Sequence, residues 1–222
     1  SGIAIFSIGM FFMQDGFKLL SGGFLEKLLQ KFTSNTFYAI LTGFFSTALV
    51  QSSSIISLVV ISFLSVELLT LVQGIGIIFG SNLGSTTTAW IVSSLGVDVK
   101  ISIYAMPMIL FGVILRFSKS NTYKGMGNVL LGLGFIFLGI SYMKDGFDIL
   151  KDSLDLSSYS MEGVLGIIIY ILIGAVATII MHSSGATLAI IITALSAGSI
   201  IYINALALVI GAHIGTTFTA IL

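Results

Sequence analysis

Apolar residues run along this chain with few interruptions, and its charges divide it into blocks. Charge-free stretches cover residues 1–14, 32–66, 68–97, 101–115, 125–143 and 163–222. A membrane-spanning helix needs roughly 20 mostly apolar residues. Residues 101–117 and 126–143 therefore predict one span each, and 1–14 another that begins inside its helix. The other three stretches carry polar interruptions. Residues 32–66 are too long for one helix and short for two, with Thr47 and Gln51-Ser52-Ser53-Ser54 at their middle. Residues 68–97 hold Gly80-Ser81-Asn82-Leu83-Gly84-Ser85-Thr86-Thr87-Thr88, and 163–222 hold both kinds of interruption in the same order. Backbone that leaves a helix at membrane depth must be buried in protein or line a wet cavity. The pattern thus predicts polar-tipped hairpins and helices broken at their midpoints.

The two interrupted patterns belong to one internal repeat. Gly9, Met13, Asp15, Gly16, Phe17 and Leu20 recur 130 positions on as Gly139, Met143, Asp145, Gly146, Phe147 and Leu150. Gly43, Thr47, Ser52 and Ser53 recur as Gly174, Thr178, Ser183 and Ser184, and Gly80, Gly84, Thr86 and Thr88 as Gly211, Gly215, Thr217 and Thr219, with Ser85 answered by Thr216. The chain reads as two copies of a spanning helix, a re-entrant hairpin and a broken helix. Residues 1–124 form the first copy with a linking helix and loop, and 125–222 the second, within one membrane domain. Copy two is expected to continue beyond Leu222, because copy one runs further past the matching glycine.

If the hairpin enters and leaves by one face, copy one crosses the membrane an odd number of times and copy two is inverted. Loop charge points the same way. Residues 15–35 carry three lysines against two acids, whereas 144–162 carry five acids against two lysines. Arg116, Lys119 and Lys124 make the connection between copies basic, so it and the 15–35 loop are expected in the cytoplasm. The expected fold is an all-α, multi-pass protein of the cell membrane with two inverted-topology repeats, whose tips meet near the bilayer midplane.

Composition agrees. Only 8% of residues are charged and 56% are hydrophobic, against about 25% charged in soluble domains. Nine basic residues balance nine acidic ones without a basic stripe, so nucleic acid is not an expected partner. With no cysteine, disulfide frameworks and thiolate metal sites are excluded, and no cleavable signal peptide is read.

The chemistry of the interruptions suits ions. Hydroxyls of Gln51-Ser52-Ser53-Ser54, with the N–H groups of a helix start, can converge on an anion. No lysine or arginine lies in that segment, so an anion in hydrocarbon needs mobile positive charge. Hydroxyl, amide and carbonyl oxygens of segments 80–88 and 211–219 suit sodium. Polar groups in apolar segments, namely Asn82, His182 and His213, are further site candidates.

These residues carry a resemblance. The Gln-Ser-Ser-Ser hairpin, the Gly-Ser-Asn-Leu-Gly-Ser-Thr-Thr and Gly-Ala-His-Ile-Gly-Thr-Thr segments and their duplication resemble the type II sodium/phosphate cotransporter family, bacterial branch, over nearly the whole chain. The resemblance implies inverted repeats and sodium-coupled transport of inorganic phosphate by alternating access, with no enzymatic activity. It carries phosphate binding to Gln51, Ser52, Ser53, Ser54, Ser183 and Ser184. Sodium is then expected on Gln51, Ser52, Asn82, Ser85, Thr86, His182, Ser183, His213, Thr216 and Thr217. The departures are His182 where the family's second signature has Gln, and His213 in place of Asn. Membrane lipid, a second copy of the chain and a soluble regulatory domain past Leu222 are the other expected partners.

Plainer readings stand beside these. Isolated hydroxyls such as Ser62, Thr70 and Ser93 read as packing groups. Gly76, Gly80 and Gly84 also form a close-packing face. Asp15 and Asp145, each followed by Gly-Phe, are expected to end the first helix of each copy. Two other functions compete: an intramembrane serine hydrolase using Ser184 and His213, and transport of a different oxyanion.

Overall fold

The computed structural model describes residues 1–21, 35–96, 102–153 and 163–219. These form the helices α1 (Gly2–Ser21), α2 (Thr36–Val50), α3 (Ser53–Ser65), α4 (Leu71–Gly96), α5 (Ser102–Arg116), α6 (Asn121–Ser153), α7 (Gly163–Met181), α8 (Ser184–Ser196) and α9 (Tyr202–Thr219). Three of them, over Gly2–Leu20, Asn121–Ile149 and Gly163–Met181, are long and apolar enough to cross a membrane. The loop segments 22–34 and 154–162, on which much of the charge asymmetry rests, lie outside the described residues.

Glycines set the closest helix contacts. A Cβ on Gly9 would meet Ile136 N at 2.6 Å, on Gly132 Met13 N at 2.6 Å and on Gly2 Met143 N at 2.7 Å. Rising numbers on α1 meet falling numbers on α6, so the two helices run antiparallel. Around this pair Phe6, Met10, Met13, Ile136, Ile140 and Met143 form a core with Val92 of α4 and Ala186 and Ala189 of α8. The helix pairs α2–α4 and α7–α9 repeat one another contact for contact. Gly43 abuts Ile77 and Gly80 abuts Ile40, while Gly174 abuts Leu208 and Gly211 abuts Ile171, each pair shifted by 131. A second core, Ala39, Val50, Ile56, Val60, Leu69 and Ile77, fills the first hairpin against α4.

The expected helix breaks do not occur. α4 runs unbroken from Leu71 to Gly96 and α9 from Tyr202 to Thr219. Two local effects keep them whole. Hydroxyls turn back on their own helix: Ser85 Oγ donates to Asn82 O at 2.7 Å, Thr86 Oγ1 to Leu83 O at 2.7 Å, Thr216 Oγ1 to Ala212 O at 3.0 Å and Thr217 Oγ1 to Ile214 O at 2.7 Å. The glycines spend their missing side chains on backbone contact with α2 and α7 rather than on freeing the chain. Asp15 and Asp145 likewise do not end helices, since α1 continues to Ser21 and α6 to Ser153. Asn128 of α6 donates to Asp15 Oδ2 at 2.6 Å, which gives that carboxylate a partner inside the helix pair.

Candidate functional site: a polar cavity at two hairpin tips

Each hairpin turns in two residues. Gln51 caps α2 in the left-handed region at φ 56°, and Ser52 then opens α3 in extended conformation at φ −147°. The second turn repeats this with His182 at φ 49° and Ser183 at φ −154°. Ser52 Oγ accepts from Ile55 N at 3.4 Å and Ser183 Oγ from Ala186 N at 3.2 Å, so both serines are N-caps. Glycine is the usual residue at a left-handed helix end, and a larger side chain there costs roughly 1–2 kcal/mol. Both copies place a polar side chain at this position.

The tips face one another across a polar cavity of about 50 Å3. Gln14, Gln51, Ser52, Ser53, Ser54, Ser85, Thr88, His182, Ser183, Ser184 and Gly185 line it. A space of that size holds several waters or one small oxyanion, since about 10–15 Å3 on this measure admits a single water. The starts of α3 and α8 both open on it. First-turn N–H groups have no acceptor within their own helix, and the helix dipole places partial positive charge there. Ser53 and Ser184 sit at those starts with their residues 5% and 6% exposed. Among the described residues no lysine or arginine lines the cavity.

Gln51 is fixed within the protein. Its Oε1 accepts from Thr88 Oγ1 at 2.6 Å, and its Nε2 donates to Ala48 O at 2.6 Å and to Thr87 Oγ1 at 3.0 Å. Gln14 of α1 donates from Nε2 to Gln51 O at 3.4 Å. One level below, Thr47 Oγ1 donates to Ser81 Oγ at 2.7 Å, tying α2 to α4. The second tip is held differently. Thr178 Oγ1 donates to Thr187 Oγ1 at 3.1 Å within its hairpin, and His182 is exposed at the cavity.

Of the sequence-derived site residues, the cavity gathers Gln51, Ser52, Ser53, Ser54, Ser85, His182, Ser183 and Ser184. Asn82, Thr86, His213, Thr216 and Thr217 are not among its lining residues. Those five belong to the unbroken α4 and α9. Gln14, Thr88 and Gly185 line the cavity without having been singled out as ligands. Gln14 is the one side-chain amide in the charge-free 1–14 stretch, and Thr88 recurs in the repeat, so both left a signal in the sequence.

These features define a helical membrane protein with a duplicated fold and a polar pocket between its two hairpin turns. The chain belongs to the Na+/Pi-cotransporter family, whose description matches residues 5–145. That match ends before the second tip. A protein of Bacillus subtilis strain 168, "Uncharacterized protein YqeW", is 29% identical over 223 aligned residues, which cover 99% of this chain and 70% of the relative. No solved structure matches.

Proposed function

We propose that the chain moves inorganic phosphate across the cell membrane together with sodium, by alternating access around the two tips. The observation that carries this is the cavity at which two helix starts and five tip serines converge with no fixed cation among its lining residues. Hydroxyls and N–H groups satisfy an oxyanion's lone pairs, and the paired helix dipoles offset part of its charge. The rest needs a mobile cation. Hydroxyl oxygens of Ser52, Ser85, Thr88 and Ser183 are hard ligands of the kind sodium takes, and they lie on the same lining. Coupling follows, because the anion and the cation each lower the cost of burying the other.

The topology that suits this function is a pair of inverted repeats. The antiparallel packing of α1 on its repeat partner α6 supports inversion. α3 and α8, each 13 residues and so about 20 Å long, are too short to cross roughly 30 Å of hydrocarbon, which supports re-entrant arms. Phosphate is preferred over other oxyanions on family grounds. A hydrolase is disfavoured because His213 is not among the residues lining the cavity with Ser184.

Radiolabelled phosphate uptake into proteoliposomes tests the reading. Uptake should require an inward sodium gradient and fall to background in potassium or choline. Sodium-independent uptake would overturn coupling, and sulfate competing as well as phosphate would overturn the substrate.

A further inference from the structure

Asp15 follows the cavity-lining Gln14 on α1 and is not itself among the lining residues. α1 and α6 pass closely here, for a Cβ on Gly16 would meet Val129 N at 2.7 Å and Gly125 O at 2.8 Å. At this crossing Asn128 Nδ2 donates to Asp15 Oδ2 at 2.6 Å. Asn128 is 3% exposed, and its Oδ1 is buried without a partner. Oδ1 shares its carbon with Nδ2, so the orphaned oxygen and the carboxylate are close neighbours. Asp15 itself is half-buried, and Lys18, one turn further along α1, is exposed. A carboxylate met by one neutral amide in a membrane helix is poorly compensated, and a buried carbonyl oxygen with no donor is a second deficit. Both deficits are oxygens short of positive charge, and one ion satisfies both.

We propose that Asp15 and Asn128 hold a monovalent alkali cation between α1 and α6. The donors are hard oxygens, which suit alkali and alkaline-earth ions over softer metals. Among the described residues no group of three His, Cys, Asp or Glu gathers as a divalent or transition-metal site would need. One negative charge matches one positive charge, and the exposed side of the carboxylate leaves room for water ligands. The amide of Asn128 turns on binding so that Oδ1 meets the ion. Gln14 precedes Asp15 on α1 and donates to Gln51 O at the first tip, so an ion here would steady the helix that supports the cavity wall. Only that consequence rests on the transport reading; the binding itself does not.

The test uses purified protein in phosphate-free buffer, with choline chloride replaced by sodium chloride at constant ionic strength and the melting temperature followed. Sodium should raise the melting temperature of the parent. Asp15→Asn keeps an acceptor for Asn128 Nδ2 and should shift the half-effective sodium concentration upward by about tenfold or more, as loss of a charged ligand does. Should that variant fail to fold, Asn128→Asp supplies a second carboxylate and should lower the half-effective concentration. A parent indifferent to sodium, or equal responses in the parent and in whichever variant folds, overturns the site. Sodium-driven phosphate uptake persisting alongside such a result leaves the transport reading intact and removes only this ion.

Discussion

Thr88 Oγ1 on α4 donates a 2.6 Å hydrogen bond to Gln51 Oε1 at the first hairpin tip, and both residues are buried. The bond joins the tip to the helix behind it. Because Gln51 Nε2 also donates to Thr87 Oγ1, which in turn donates to Gly84 O at 2.7 Å, the contact is one link in a chain of polarised bonds. Thr88→Val keeps the shape and removes the donor. It should lower stability by about 1–3 kcal/mol, the cost of a buried acceptor left unmet, and reduce phosphate uptake. Thr88→Ser should restore most of both, as read by thermal melting and uptake side by side.

The glycines on α4 and α9 make a sharper packing prediction. A Cβ at Gly80 or Gly211 would overlap the carbonyl of Ile40 or Ile171, which is backbone and cannot swing away. Gly80→Ala and Gly211→Ala should each destabilise by about 1–3 kcal/mol or more through overpacking. Gly146, with nothing within 4 Å of its would-be Cβ, is the control. Gly146→Ala should be neutral or stabilise by up to about 1 kcal/mol, since glycine is poor in a helix. Equal melting of the three variants would contradict the close contact.

The two hairpins were legible in the sequence because a cluster of hydroxyls has no other reason to stand in mid-segment of a charge-free run, and because the cluster recurs. The unbroken α4 and α9 were not legible. Gly80-Ser81-Asn82-Leu83-Gly84 is a loop composition in water, yet in this setting each glycine meets a neighbouring backbone, Ser81 Oγ accepts from Thr47 Oγ1 of α2, and the Ser85 and Thr86 hydroxyls that follow bond to carbonyls three residues back. Tertiary contact overrode local propensity. Asp15 misled for a related reason: its partner Asn128 is 113 positions away, a distance no local pattern records.

At the tips, Ser53→Ala and Ser184→Ala should abolish phosphate uptake while moving the melting temperature little, because neither hydroxyl caps its helix. Ser52→Ala should abolish uptake and also lower the melting temperature, since its hydroxyl caps α3 and such a cap contributes about 1 kcal/mol. Ser62, whose Oγ donates to Leu58 O at 2.8 Å on an exposed face, should tolerate alanine silently. Normal transport by the Ser53 and Ser184 variants would remove the cavity from the mechanism.

Inversion has its own test in Ser65 and Ser196. They are repeat partners, both exposed, both at the last turn of the second hairpin arm, and both donate to a carbonyl four residues back. The chain has no native cysteine, so Ser65→Cys and Ser196→Cys can each be read alone. In right-side-out vesicles an impermeant maleimide should label one and not the other. Labelling of both from one side would indicate a parallel repeat.

His182 offers the clearest separation of structural from functional cost. It stands at φ 49°, where glycine would be at ease, and it replaces the glutamine found at the equivalent place in copy one. His182→Gly should therefore raise the melting temperature, by relief of roughly 1 kcal/mol of backbone strain, while lowering phosphate uptake. A purely structural histidine would give the first effect without the second. A neutral imidazole can accept at one nitrogen and donate at the other, as an amide does, so His182→Gln should keep uptake near that of the parent where His182→Gly loses it. Equal uptake by His182→Gly and the parent would show that His182 serves the turn alone.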